Sequence, residues 1–127
     1  MFRLTTKSDY GLILLSNLSR SKKLVSISSV AKKNKISPKF LSQIAQELKK
    51  AGYISSKEGA RGGYRLAKPA QDIKILDVLK TLDGEIVRGE CFEDDHECHC
   101  GGKKMFAQMK KEIEATMAKK TVADLVS

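Results

Sequence analysis

"ISPKFLSQIAQELKKAGYISS", residues 36–56, is the stretch that decides how this chain folds. Ser37-Pro38 is a helix start. A serine cap accepts one first-turn amide, and proline at the first helical position omits an amide that would have no partner. From Pro38 to Ala51, the spacing of Leu41, Ile44, Ala45 and Leu48 predicts one buried face, and Gly52 supplies the left-handed residue that ends the helix. Lys39, Ser42 and Gln43 fall on the opposite, polar face, near its N-terminal end.

Upstream, "SISSVAKKN" (26–34) predicts a brief helix with Ser26 or Ser28 as cap and Val30 and Ala31 inward. Two short helices joined by a tight polar turn make a helix-turn-helix, whose second helix can enter the DNA major groove. "KKLV" (22–25) is a connector, and "TTKSDYGLILLSNLSR" (5–20) predicts the first helix. There Thr6 and Asp9 form a capping-box-like start, and Tyr10, Ile13, Leu14 and Leu18 share a face.

Downstream, "YISS" (53–56) and "YRLA" (64–67) alternate like strands around the glycine-rich "KEGARGG" (57–63). That is a two-stranded wing, with Lys57 and Arg61 in its loop and Arg65 on its second strand. "KILDVLKTLDG" (74–84) predicts a helix with Ile75, Leu76, Leu79 and Leu82 apolar, stopped by Gly84. "KKMFAQMKKEIEATMAKK" (103–120) is amphipathic throughout, with Met105, Met109, Ile113 and Met117 in line and Phe106 beside them. Once the earlier elements close a core, this stripe lacks a surface to cover, and a second copy of the chain is the simplest one. The expected architecture is mainly α with a small β-wing. A winged helix-turn-helix domain spans 1–69, a connecting helix and cysteine loop 70–102, and a dimerisation helix and tail 103–127.

Charge agrees with a nucleic-acid partner. The net charge is +9, yet residues 1–68 hold 15 Lys and Arg against three acids (Asp9, Glu47, Glu58), a net of +12. So lopsided a half is the footprint of a surface that meets phosphate. The longest apolar run, "GLILL" at 11–15, is too short to cross a bilayer, and "MFRLTTKSDYG" (1–11) is no secretory signal. A cytoplasmic protein without a membrane partner is expected. In that reducing setting clustered cysteines are metal ligands or redox groups more often than disulfides.

All three cysteines and both histidines stand in "CFEDDHECHC", residues 91–100. The site admits an iron–sulfur cluster, [2Fe-2S] or [4Fe-4S], with three thiolates and one other ligand. It also admits zinc, with Cys91, Cys98, Cys100 and either His96 or His99. Free thiols in an acidic loop are the third reading. No glycine-rich nucleotide loop, Ser/His/Asp set or paired catalytic carboxylates accompany the cysteines, so no enzyme activity is expected.

Taken together, the chain resembles the IscR/NsrR family of bacterial winged-helix regulators. The resemblance rests on "RLTTKSDYGL" (3–12), residues 36–56 quoted above, "EGARGGYRLAKP" (58–69), the three-cysteine loop and "TVADLV" (121–126). It implies a homodimeric transcriptional regulator, most simply a repressor, that binds double-stranded DNA at a palindromic operator. Its DNA binding would be controlled by a cluster that senses nitric oxide, redox or iron–sulfur status. By position it implies Lys39, Ser42 and Gln43 as base readers. Lys57, Arg61 and Arg65 are candidate wing contacts, since a cation at a glycine-rich tip suits a narrow and negative minor groove, and Ser29 is a further candidate DNA contact. Ser42 departs from the glutamate of IscR-like members. Lys103 stands where they have a ligating histidine, whereas Asp9 stands where NsrR-like members take an aspartate ligand from the partner subunit. The Cys98-x-Cys100 spacing is tighter than the family's and puts Cys98 in doubt as a ligand.

Overall fold

The structure, a computed structural model, describes residues 5–84 and 102–126. Its elements are α1 (Thr6–Arg20), α2 (Ile27–Asn34), α3 (Pro38–Lys50), β1 (Ile54–Lys57), β2 (Gly63–Leu66), α4 (Ile75–Asp83) and α5 (Lys103–Ala118). Single 3-10 turns cover Ala70–Asp72 and Val122–Leu125. The winged helix-turn-helix expected from the sequence is present, followed by a long C-terminal helix.

The cap of α1 differs from the expected one. Thr5, not Thr6, accepts the Ser8 amide at 3.2 Å, so the helix register begins one residue earlier and Asp9 has no capping role. The buried face comprises Ser8, Gly11, Leu14, Leu15 and Leu18, while Tyr10 and Ile13 are only half-buried at its border. Tyr10 meets Phe40 of α3 edge-on, ring centres 5.7 Å apart.

The helix-turn-helix is built as its residues predict. Ser26 caps α2 through the Ser29 amide at 3.2 Å. Lys35 takes the left-handed conformation that ends it (φ 57°), and buried Ile36 anchors the turn. Ser37 then caps α3 with Pro38 in the first turn, and Leu41, Ile44, Ala45 and Leu48 are fully buried. Burying each of the large aliphatic chains contributes about 1.5–3 kcal/mol, so the pairing of α3 with α1 and α2 is set by one face.

β1 and β2 pair antiparallel from Ile54 opposite Leu66 to Lys57 opposite Gly63, closing the wing over residues 58–62. The sheet has an extra neighbour that the connector reading of "KKLV" missed. Val25 exchanges backbone hydrogen bonds with Tyr64 at 2.9 and 2.8 Å. A lone residue in a bridge has no alternation to betray it in the sequence.

The C-terminal segment returns to the same core. Val122 is fully buried in the cluster that holds Leu14, Ile44 and Ile73, and its amide donates to the Ile73 carbonyl at 2.9 Å. Thr121 and Asp124 form a reciprocal capping box that fixes the turn. Of α5, Met117 and Ala118 pack on Leu76 and Leu79 of α4, whereas Met105 is 56% and Met109 41% exposed.

Gly63, like Gly62 beside it, is where the wing tolerates no side chain. Its φ is +153°, and a Cβ there would lie 2.6 Å from the Val25 carbonyl oxygen. Gly63→Ala should therefore cost about 1–3 kcal/mol in denaturant unfolding. Gly52 also has positive φ (+85°), but nothing lies within 4 Å of a Cβ there, so Gly52→Asn should cost under about 1 kcal/mol. Equal losses for the two would show that the Val25 contact does not constrain the wing.

Candidate nucleic-acid interface

The polar face of α3 is the exposed one. Lys39 and Gln43 are exposed and, four residues apart, lie above one another on one helix face; Ser42 beside them is half-buried. The same face continues through exposed Gln46 and Lys50, at three and seven residues beyond Gln43. Gln46 was not among the expected base readers. Extending the helical period one turn past Gln43 is the signal that finds it.

In the wing, Lys57 and Arg61 are exposed at the turn. Arg65 is exposed on β2, opposite Ser55, and so points away from the core. Ser29 is exposed on α2, its hydroxyl donating to the Ser26 carbonyl at 2.9 Å. Among the described residues none of Lys39, Lys57, Arg61 and Arg65 is in an ion pair. Cations without internal partners give up no ion pair of their own when they meet an external phosphate. Glu47, the one acid of α3, is instead held by Lys7, whose ammonium lies 2.8 and 2.7 Å from its two oxygens.

Of the expected metal ligands, Cys91, Cys98, Cys100, His96 and His99 lie outside the described residues. Asp9 is described. It is exposed on the first turn of α1, and its carboxylate makes no hydrogen bond or ion pair among the described residues.

Comparisons with known proteins agree with this geometry. Residues 4–127 match the family model Rrf2, described as an iron-dependent transcriptional regulator. Protein rrf2 of Nitratidesulfovibrio vulgaris is 35% identical over 130 residues, covering 98% of this chain and 87% of that one. Among solved structures, CymR, the global cysteine regulator of B. subtilis, superposes with a TM-score of 0.84 at 27% identity, covering 99% and 97% of the two chains. T. potens IscR superposes at 0.78 with 30% identity, covering 98% and 86%.

The first turn of α1 and the last turn of α4 meet at one hydrogen-bonded cluster. Asp83, the last residue of α4, accepts from the Thr5 hydroxyl at 2.8 and 2.7 Å and from the hydroxyl of fully buried Ser8. Burial pushes the Asp83 carboxyl up. The Ser8 and Thr5 hydrogen bonds and the nearby Lys7 charge outweigh it, and the net direction is below the ordinary carboxylate value. A carboxylate so depressed stabilises the fold above its unfolded pKa, and that contribution is lost as pH falls through the folded one. Asp83→Asn should thus lower stability by about 1–3 kcal/mol at pH 7. The gap to the parent protein should narrow as pH falls below the ordinary carboxylate range and close where the parent's own depressed carboxyl protonates. A gap that stays constant down to acid pH in thermal melts would show that the charge of Asp83 contributes nothing.

Proposed function

The chain belongs to the Rrf2 family of transcriptional regulators, and on that footing we propose that it is a homodimeric repressor reading a palindromic operator through α3 and the wing. The observation that carries the reading is the α3 face itself. An amide, Gln43, and a cation, Lys39, stand exposed and, among the described residues, unpaired on a helix whose opposite face is wholly buried. Gln43 can grip an adenine edge at two points, and Lys39 can reach guanine acceptors or phosphate. Arg61, at the tip of a glycine-rich turn, suits a narrow and strongly negative minor groove. Two such units on a two-fold axis call for half-sites about one helical turn, roughly 10 base pairs, apart. The exposed Met105 and Met109 of α5 support pairing of two copies along that helix.

The loop at 91–100 is the proposed sensor. Cys91, Cys98 and Cys100, with Asp9 of the partner subunit, would hold an iron–sulfur cluster; His96 and His99 are the alternative fourth ligands. The fit is supported by three thiols within ten residues, by the unpaired exposed carboxylate of Asp9, and by similarity to T. potens IscR. When bound, such a group supplies iron whose ligation responds to oxidants, nitric oxide or iron supply. A zinc or thiol-redox site is the second reading. The tight Cys98-x-Cys100 spacing and the likeness to CymR, a cysteine regulator, favour it.

Gln43→Ala should weaken binding to an operator selected from random DNA by about 1–3 kcal/mol, with little change on unselected DNA. Equal losses on both would remove α3 as the reading helix. Protein purified without oxygen should be brown, and Cys91→Ala should abolish the colour. Colourless protein carrying stoichiometric zinc would instead establish the second reading.

A further inference from the structure

A crevice of about 380 Å³ opens between the end of α1 and α2, outside every contact assigned above except Ser29. Arg20, Lys33, Asn17 and Ser29 line it, over apolar Val25 and Val30. Its chemistry is one-sided. Neither Arg20 nor Lys33 is in an ion pair among the described residues, and no acid lines the crevice. The three acids of the basic half sit elsewhere: Asp9 at the far end of α1, Glu47 on Lys7, and Glu58 in the wing turn. The first turn of α2 carries no acid either, so the positive end of its dipole is not neutralised from within the helix.

We propose that this crevice is a phosphate seat, with Arg20 and Lys33 as its clamps and Ser29 as a further donor once its hydroxyl turns from the Ser26 carbonyl. The placement favours a DNA backbone phosphate as the source. Val25 is bridged to Tyr64, next to the exposed Arg65 of the wing, and Ser26, the cap of α2, follows it directly. The crevice thus lies at the junction of wing and helix-turn-helix, where the backbone flanking an α3 half-site would pass. This rests on the DNA-binding reading above. An ordinary structural role competes with it: both cations stand in the last turns of their helices, where they stabilise the negative C-terminal ends.

The experiment uses the full chain in two arms. In the first, anisotropy titrations of a 30-base-pair duplex of random sequence are run at about 50–200 mM salt. Arg20→Gln and Lys33→Gln should each lower affinity several-fold and flatten the log–log salt slope by about one for each copy engaged. Lys22→Gln, outside the crevice, should do markedly less, and thermal melts should show all three variants folded. In the second arm, inorganic phosphate is titrated without DNA while backbone amide resonances are followed. Shifts centred on Arg20, Ser29 and Lys33 with unchanged DNA slopes would keep the seat but make a free phosphate-bearing molecule its occupant. If Lys22→Gln matches the crevice variants and phosphate shifts nothing there, the seat is overturned. If the parent protein binds no DNA, the DNA-binding reading fails, and the phosphate arm still decides the seat.

Discussion

The Asp83 carboxylate fixes where the parts of this molecule stand. It accepts hydroxyls from Thr5 and Ser8, residues 78 and 75 positions away in the sequence. A charged acceptor of this kind is roughly twice as strong as a neutral one. Breaking it would leave the buried Ser8 hydroxyl without its acceptor. It therefore locks the last turn of α4 to the first turn of α1. The lock extends to α3 through Lys7, whose charge acts on Asp83 while its ammonium binds Glu47. Three helices meet there: the one that ends at the cysteine loop, the one that carries Asp9, and the one proposed to read DNA.

That arrangement also sorts the charges. With 15 cations against three acids, residues 1–68 can pair only a few of their cations internally, and where the three acids stand decides which. Glu47 is occupied by Lys7, on the side of α3 toward α1. Asp9 is left open on α1, and Glu58 sits in the wing turn. Among the described residues, the cations of α3, the wing and the crevice are in no ion pair. The Lys7–Glu47 pair is half-exposed, and pairs of that kind stabilise by no more than about 1 kcal/mol. Its larger effect is on geometry: it keeps the only negative charge of α3 off the exposed Lys39–Gln43 face.

Much of this was legible in the sequence, and the parts that were not share a cause. Ser37-Pro38 with the Leu41, Ile44, Ala45 and Leu48 spacing located α3 because local signals and burial period agree there. Gly52 marked a position where the backbone needs positive φ. The reading failed where a residue's role is set by a distant partner. Thr5 rather than Thr6 caps α1, and Ser8 is wholly buried, because both answer to Asp83. Val25 is a strand residue only because Tyr64 lies beside it, and Val122 is core only because the tail returns to Ile73. Val78, fully buried, was passed over for the same reason, since α4 packs on more than one neighbour and buries more than one face.

The returning tail bears on how two copies would be spaced. Val122 in the core, the Thr121–Lys74 bridge and the seat of Met117–Ala118 on α4 fix the C-terminal end of α5 to the DNA-binding module. Its other end begins just after residues 85–101, with Met105 and Met109 uncovered. A partner helix covering that stripe would sit at a distance from α3 set by the fixed end, so the dimer would behave as a caliper with its hinge held by Val122. Residues 85–101, the stretch with all the cysteines, join the clasped end of α4 to the uncovered end of α5. A change of ligation within that stretch would pull on the Asp83 clasp at one side and on the proposed pairing helix at the other. The proposed sensor stretch thus lies, in sequence, between the two elements that would set the separation of the proposed reading helices, and a palindromic operator would select for that separation through its half-site spacing.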